Sequence, residues 1–449
     1  MKEIVCFIVF NLFTFQSLLT QEITYSYFNN TDSKIDAYFE TITQKQLNNI
    51  EKDYKKQRKE FYKNQLKGLQ KDIEDNAFIY NRDLYTRTQT IFDVIFKANP
   101  ELQNEDFKFL IYRSIFPNAA AYGNGFFTIN LGLFTLLDSD DEIAFVICHE
   151  LAHQYLFHIK DKIDNYVSKI NSEGLKNEVK KIKRMKYGQN SAGMELLENL
   201  NFDFSEHSRS TELEADMKGL EYFYKTQYNK QAVITALKKL GDLEELIFTH
   251  EVNWTATFNL MNYDFNENLL KEQATMFNSS KPINENAWDK DSIKSHPDIE
   301  IRIKELMSMN PNLAQENNLL IDGNYKEIKA LSEKLSIMSL LDSGNLDLAL
   351  YLISLNLERQ PENNFFFIGK MALVLNDIYI FKKNHSIGKT VPQANNLSEE
   401  IHLNDIRRFI HNIELFELKN LIKNFTKFYL SKIKNNEDLT SIYKIYNKN

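Results

Sequence analysis

Cysteine is nearly absent. Cys6 and Cys148 are the only two in 449 residues, too few for a disulfide scaffold and too scattered for a cysteine-ligated zinc site. Glycine and proline are scarce as well, at 13 and 7 residues, under half of average usage. That excludes collagen-like and low-complexity chains. Basic charge is not in excess: 54 Lys and Arg stand against 62 Asp and Glu, a formal charge of −8. A chain-wide nucleic-acid binder would be basic. Beyond the N-terminus no stretch reaches about 18 apolar residues, so the mature chain is not expected to cross a membrane.

Apolar and aromatic residues are plentiful. They make up 43% of the chain, with 33 Phe and 22 Tyr, which supplies a core and excludes wholesale disorder. At about 100–200 residues per domain, two or three domains are expected. Residues 1–20 read as an export signal. Lys2 precedes an apolar run from Ile4 to Phe15, followed by the small and polar Gln16–Gln21. The run suits a signal peptide and is too short to span a bilayer. Glu3 weakens the basic start and no A-x-A site follows, so a buried N-terminal strand or helix is the other reading. Export places the mature protein in the periplasm first, with the cell surface or secretion as alternatives. Cys148 is then the single remaining thiol, read as a small buried core residue.

Residues 21–80 read as an amphipathic helical segment. Leu47, Ile50, Tyr54, Phe61, Leu66, Leu69 and Ile73 recur near helical spacing, predicting one long helix over 44–76 with a solvated basic face. Strands are expected at Phe107–Arg113 and Phe126–Asn130, with Gly123 and Gly125 fitting a hairpin turn. A helix should begin at Ser139, whose spacing to Glu142 is that of a capping box, and run to about His158. Residues 160–204 read as a polar, helix-toned insertion with no assigned place. A further helix covers Ser208–Tyr224, and the chain beyond Asp322 is helical throughout. Within that tail, Gly344, Ala349 and Pro361 are spaced like the second half of a tetratricopeptide repeat, although no clean second copy follows. A generic helical hairpin is the alternative.

The chemistry sits in His149-Glu150-Leu151-Ala152-His153, an HExxH pattern. On a helix, positions i and i+4 lie about 40° apart around the axis. Both imidazoles therefore share a face and can bind one metal, with Glu150 beside them as a proton acceptor. The preceding Ile143–Cys148 is apolar, so the helix is buried, and an unpartnered His-Glu-His set would carry a large desolvation cost. The longer HExxHxxGxxH pattern fails, since Leu156 and Ile159 stand at its Gly and third His positions. His158, nine residues after His149, would face away on a continuous helix and reads as structural. The third ligand is expected on the next helix. Glu212 and Asp216 share a face there, Glu212 as ligand and Asp216 as acceptor for a ligand histidine's distal nitrogen. Ala215 and Gly219 are small enough to let that helix approach closely. Glu214 points elsewhere and reads as a solvated acid.

HELAH followed by E-x-x-A-D-x-x-G resembles the HtpX and CAAX prenyl protease family of zinc metallopeptidases. Asn118-Ala-Ala-Ala-Tyr122, Leu131–Leu137 and Ser295-His296-Pro297 with Arg302-Ile303 resemble further family segments in the same order. The family's membrane helices are missing, so the chain is most similar to the soluble periplasmic BepA-like branch, in which a tetratricopeptide domain follows the peptidase. The resemblance implies one zinc per chain held by His149, His153 and Glu212, with Glu150 as base. It also implies a polypeptide substrate lying antiparallel along an edge strand over Phe126, Phe127, Thr128 and Ile129. The expected fold is mainly α with a small antiparallel β-sheet, α+β. A zincin-type metallopeptidase domain would occupy residues 81–315 and a helical tetratricopeptide-like domain 316–449.

Two functions fit these residues. One is a zinc metalloendopeptidase that cleaves unfolded or misassembled envelope proteins, its tail presenting clients or docking on an assembly complex. The other is a chaperone-like or assembly scaffold with a mostly closed zinc site. A purely structural zinc is disfavoured by three ligands with an adjacent carboxylate. His296 has three readings: a displaceable fourth ligand, a donor to the developing oxyanion, or a structural histidine before Pro297. Replacement His296→Ala separates them. Raised proteolysis is expected of a displaceable ligand, lost activity with zinc retained of a donor, and neither change of a structural role.

Overall fold

The computed structural model describes residues 23–27, 33–50, 52–103, 107–185, 189, 209–246, 248–272, 299–314, 323–359, 364–395, 400–433 and 435–447. The proposed export signal, His296 and Pro361 lie outside them.

A five-stranded sheet comprises β1 (Ser26–Tyr27), β2 (Phe78–Tyr80), β3 (Lys108–Tyr112), β4 (Ala119–Ala121) and β5 (Phe126–Asn130). Its order is β1-β2-β3-β5-β4. The sheet is mixed rather than antiparallel: β3 and β5 run parallel, Phe109 opposite Phe127, while the other pairs are antiparallel. After β3 the chain passes to the far edge, lays down β4, and returns as β5 between them. The return is a hairpin in which Gly123 and Gly125 hold φ of 73° and 85°, left-handed values that glycine adopts without a Cβ penalty.

The helices before the tail are α1 (Ser33–Asn48), α2 (Lys55–Glu74), α3 (Arg82–Ala98), α4 (Leu131–Leu136), α5 (Asp140–Tyr155), α6 (His158–Asn171), α7 (Glu173–Arg184), α8 (residues 209–224), α9 (Ala232–Leu246), α10 (Trp254–Phe258) and α11 (Ile299–Met309). The single helix expected over 44–76 is two, broken before α2, where Tyr54 takes φ 51°. Asn48 and Asn49, poor helix formers, precede the break. The insertion from residue 160 supplies most of α6 and all of α7.

Helix α5 is the centre of the molecule. Its cap forms at Ser139, whose hydroxyl accepts from the Glu142 N–H at 3.2 Å, while Glu142 accepts from the Asp138 N–H at 2.6 Å. Every residue from Glu142 to Gln154 is buried. It packs against α3, α9 and β4. The helix ends sooner than its sequence suggested. Phe157 adopts φ 59° and α6 starts afresh at His158.

The tail contains α12 (Gly323–Asp342), α13 (Leu346–Arg359), α14 (Phe365–Lys383), α15 (Ile401–Asn412), α16 (Leu415–Lys432) and α17 (Glu437–Tyr446). Gly344, at φ 72°, makes the α12–α13 turn, and Ala349 is fully buried. Two large cores exchange segments. Tyr325, Ile328 and Leu335 of α12 pack into the α5 core, whereas Phe248, Trp254, Phe258 and Leu269 pack into the tail core. Among the described residues no helix is long and apolar enough to cross a membrane.

Candidate metal centre

Three helices meet over the HExxH turn. Helix α5 contributes His149, Glu150 and His153, α8 contributes Glu212 and Asp216, and α11 contributes Arg302. All six are buried. Helix α8 can come this close because of Gly219. A Cβ there would stand 2.9 Å from the His149 Cα and 3.1 Å from the Cys148 carbonyl oxygen. Both neighbours are backbone and cannot swing aside.

His149 Nε2 and His153 Nε2 are 3.1 Å apart, and the Glu212 oxygens stand 3.5 Å from the first and 3.3 Å from the second. Donors bound to one tetrahedral zinc at about 2.0–2.1 Å would be about 3.3 Å apart. The three residues therefore fit the ion in spacing as well as in chemistry, and among the described residues they are the one such cluster. The two rings differ in their electrostatics. Without a metal, burial pulls His149 down, yet the nearby Asp216 and Glu212 carboxylates overcome this and hold it up at about 9, whereas burial prevails at His153 and lowers it.

Asp216 organises the cluster. It sits 2.9 Å from His149 Nδ1 and accepts two hydrogen bonds from Arg302, at 2.6 and 2.7 Å. Burial would raise its carboxyl, but the Arg302 charge and hydrogen bonds, joined by His149, bring it to about 2. It is thus an anion at any working pH. With its Nδ1 directed at that anion, His149 turns the Nε2 lone pair inward. Arg302 Nη1 also lies 3.4 Å from Glu212.

Glu150 accepts from the Ala121 N–H at 2.9 Å, which ties its carboxylate to strand β4. A cleft of about 500 Å³ opens here, lined by β4, Glu150 and His153, and by Phe61 of α2 and Ile159, Ile163 and Tyr166 of α6. Tyr62 packs on Ile163 and Val167, and Arg58 pairs with Asp164 at 2.5 Å, so α2 is fastened to α6 beside the cleft.

One sequence-based placement is corrected. Phe126, Phe127, Thr128 and Ile129 lie on β5, which is paired on both sides and buried. It offers no edge to a substrate. The strand at the sheet margin beside Glu150 is β4. Its Ala119-Ala-Ala121 has weak β propensity, so composition alone marks no strand there. His158 was also misread. Because α5 stops early, its Nδ1 lies 3.1 Å from His153 Nδ1, and its Nε2 lies 3.4 Å from Glu214. No glycine marks the stop, since the left-handed position is occupied by Phe157.

A family model described as Peptidase family M48 matches residues 82–310, more than half of the chain. No curated protein matches it.

The replacement Gly219→Ala tests the helix contact. Overpacking costs about 1–3 kcal/mol, and at 1.4 kcal/mol per decade we expect zinc affinity to fall about tenfold. The control Gly68→Ala meets nothing within 4 Å and should bind as the unmodified chain does. Equal affinity in the Gly219 variant, measured by chelator competition, would contradict the contact.

Proposed function

The chain belongs to peptidase family M48, whose members are zinc metallopeptidases, and from that premise we propose that it is an endopeptidase acting on unfolded or misassembled envelope proteins. The observation that carries this reading is the convergence of two imidazole nitrogens and the two Glu212 carboxylate oxygens, 3.1–3.5 Å apart, beside a carboxylate anchored to a marginal strand. His149, His153 and Glu212 hold the metal. When bound, zinc supplies Lewis-acid activation of water and of the scissile carbonyl.

The protein's own groups do the rest. Glu150 takes the proton of the attacking water and later delivers it to the departing amine nitrogen. Its bond to the Ala121 N–H fixes the carboxylate relative to β4. A substrate adds as a strand along β4 rather than β5, which brings its backbone past Glu150 and His153 in the cleft. Strand addition reads main-chain groups and requires an extended, unpaired segment. Folded proteins rarely offer one, and unfolded chains do. The export signal read in residues 1–20 supports envelope clients. The helical tail is the surface available to an assembly complex.

The replacement Glu150→Gln removes the base and leaves the three ligands. We expect zinc content to stay at one per chain and peptide hydrolysis to fall about 10²–10⁴-fold. Client proteins should co-purify intact with the variant and shortened with the unmodified chain. The same uncleaved partners with both forms would sink the protease reading in favour of a scaffold.

A further inference from the structure

His158 has no part in the three-donor cluster, yet it is 7% exposed and placed against one of the donors. On a continuous helix, nine residues beyond His149 is half a turn out of phase. The left-handed Phe157 ends α5, and α6 begins with His158 turned back onto His153. The two rings meet edge to face, centroids 5.1 Å apart and planes at 73°.

Proton placement follows from the distances. His153 Nε2 faces His149 Nε2 at 3.1 Å and Glu212 Oε1 at 3.3 Å, so to serve as a ligand it must present a lone pair. A neutral imidazole then carries its single N–H on Nδ1. That nitrogen is 3.1 Å from His158 Nδ1, which must accept. His158 in turn carries its own proton on Nε2, 3.4 Å from the Glu214 carboxylate. The Glu214 side chain is 62% exposed, so that last contact is open to solvent and the relay is anchored chiefly at the histidine pair.

We propose that His158 is a positioning residue: it accepts the His153 Nδ1–H, fixing the tautomer and ring orientation that aim the His153 lone pair at the metal. The inference rests on the reading that His149, His153 and Glu212 hold zinc. The two histidine ligands are then oriented by different groups, His149 by the Asp216 anion and His153 by a neutral ring.

A merely space-filling His158 and an accepting one respond differently to substitution. Asparagine places its Oδ1 near the position of histidine Nδ1 and can accept. Leucine fills similar space and cannot. The full chain and its His158→Asn, His158→Leu and His158→Ala variants would be stripped of metal and titrated with zinc alone against a chromophoric chelator. We expect the Asn variant to bind within about threefold of the unmodified chain, and the Leu and Ala variants about 10–100-fold more weakly. Imidazole ¹⁵N shifts of the zinc-loaded unmodified chain give a readout that needs no variant. The expected pattern is His153 protonated on Nδ1 and His158 on Nε2. Equal affinities in the Asn and Leu variants, or a proton on His158 Nδ1, would overturn the relay. If the unmodified chain itself takes up no zinc, the metal-centre reading falls and the relay with it.

Discussion

The Asp216 carboxylate is the constraint on which the site depends. It lies on α8, receives Arg302 from α11 and holds His149 of α5, so one anion locks three helices whose sequence positions span more than 150 residues. Such a group is expensive to bury alone. Removing one partner of a buried pair typically costs about 3–5 kcal/mol because the other charge is stranded. Here the anion faces a bidentate guanidinium and a ring N–H, which is the arrangement that offsets desolvation. The outcome is directional: the His149 Nε2 lone pair and the Glu212 carboxylate converge at one point.

That convergence also requires the helices to touch. Gly219 lets α8 rest on the backbone of α5 beside His149, and the burial of α5 from Glu142 to Gln154 leaves little room for rearrangement. The surrounding architecture adds rigidity. Helix α12 contributes Tyr325 and Leu335 to the α5 core, and the segment around Trp254 enters the tail core. Lys329 and Lys239 both reach Asp138 just before the α5 cap, at 2.6 and 2.8 Å. The tail is therefore interlocked with the site-bearing core and not merely appended to it.

Local chemistry was legible in the sequence and chain path was not. The Ser139 cap, the shared face of His149 and His153 and the small residues of α8 follow from helical periodicity, which is written in short windows. The pairing of Arg302 with Asp216 crosses 86 residues, beyond the reach of any short window. Strand β5 stood out because it is apolar and central. The same property concealed its neighbour: the margin of the sheet is Ala119–Ala121, whose small side chains suit a strand that must leave space in front of Glu150. The end of α5 was hidden because a phenylalanine occupies the left-handed position that glycine usually marks. Reading the helix one turn too far made His158 seem remote from the very ring it touches.

The central claim is that donors from α5 and α8 bind a single zinc ion. X-ray absorption at the zinc edge on the purified, metal-replete protein tests it most directly. The account predicts one zinc per chain, with at least two imidazole nitrogens and a carboxylate oxygen at about 2.0–2.1 Å. Substoichiometric zinc, or a shell without imidazole, would contradict it.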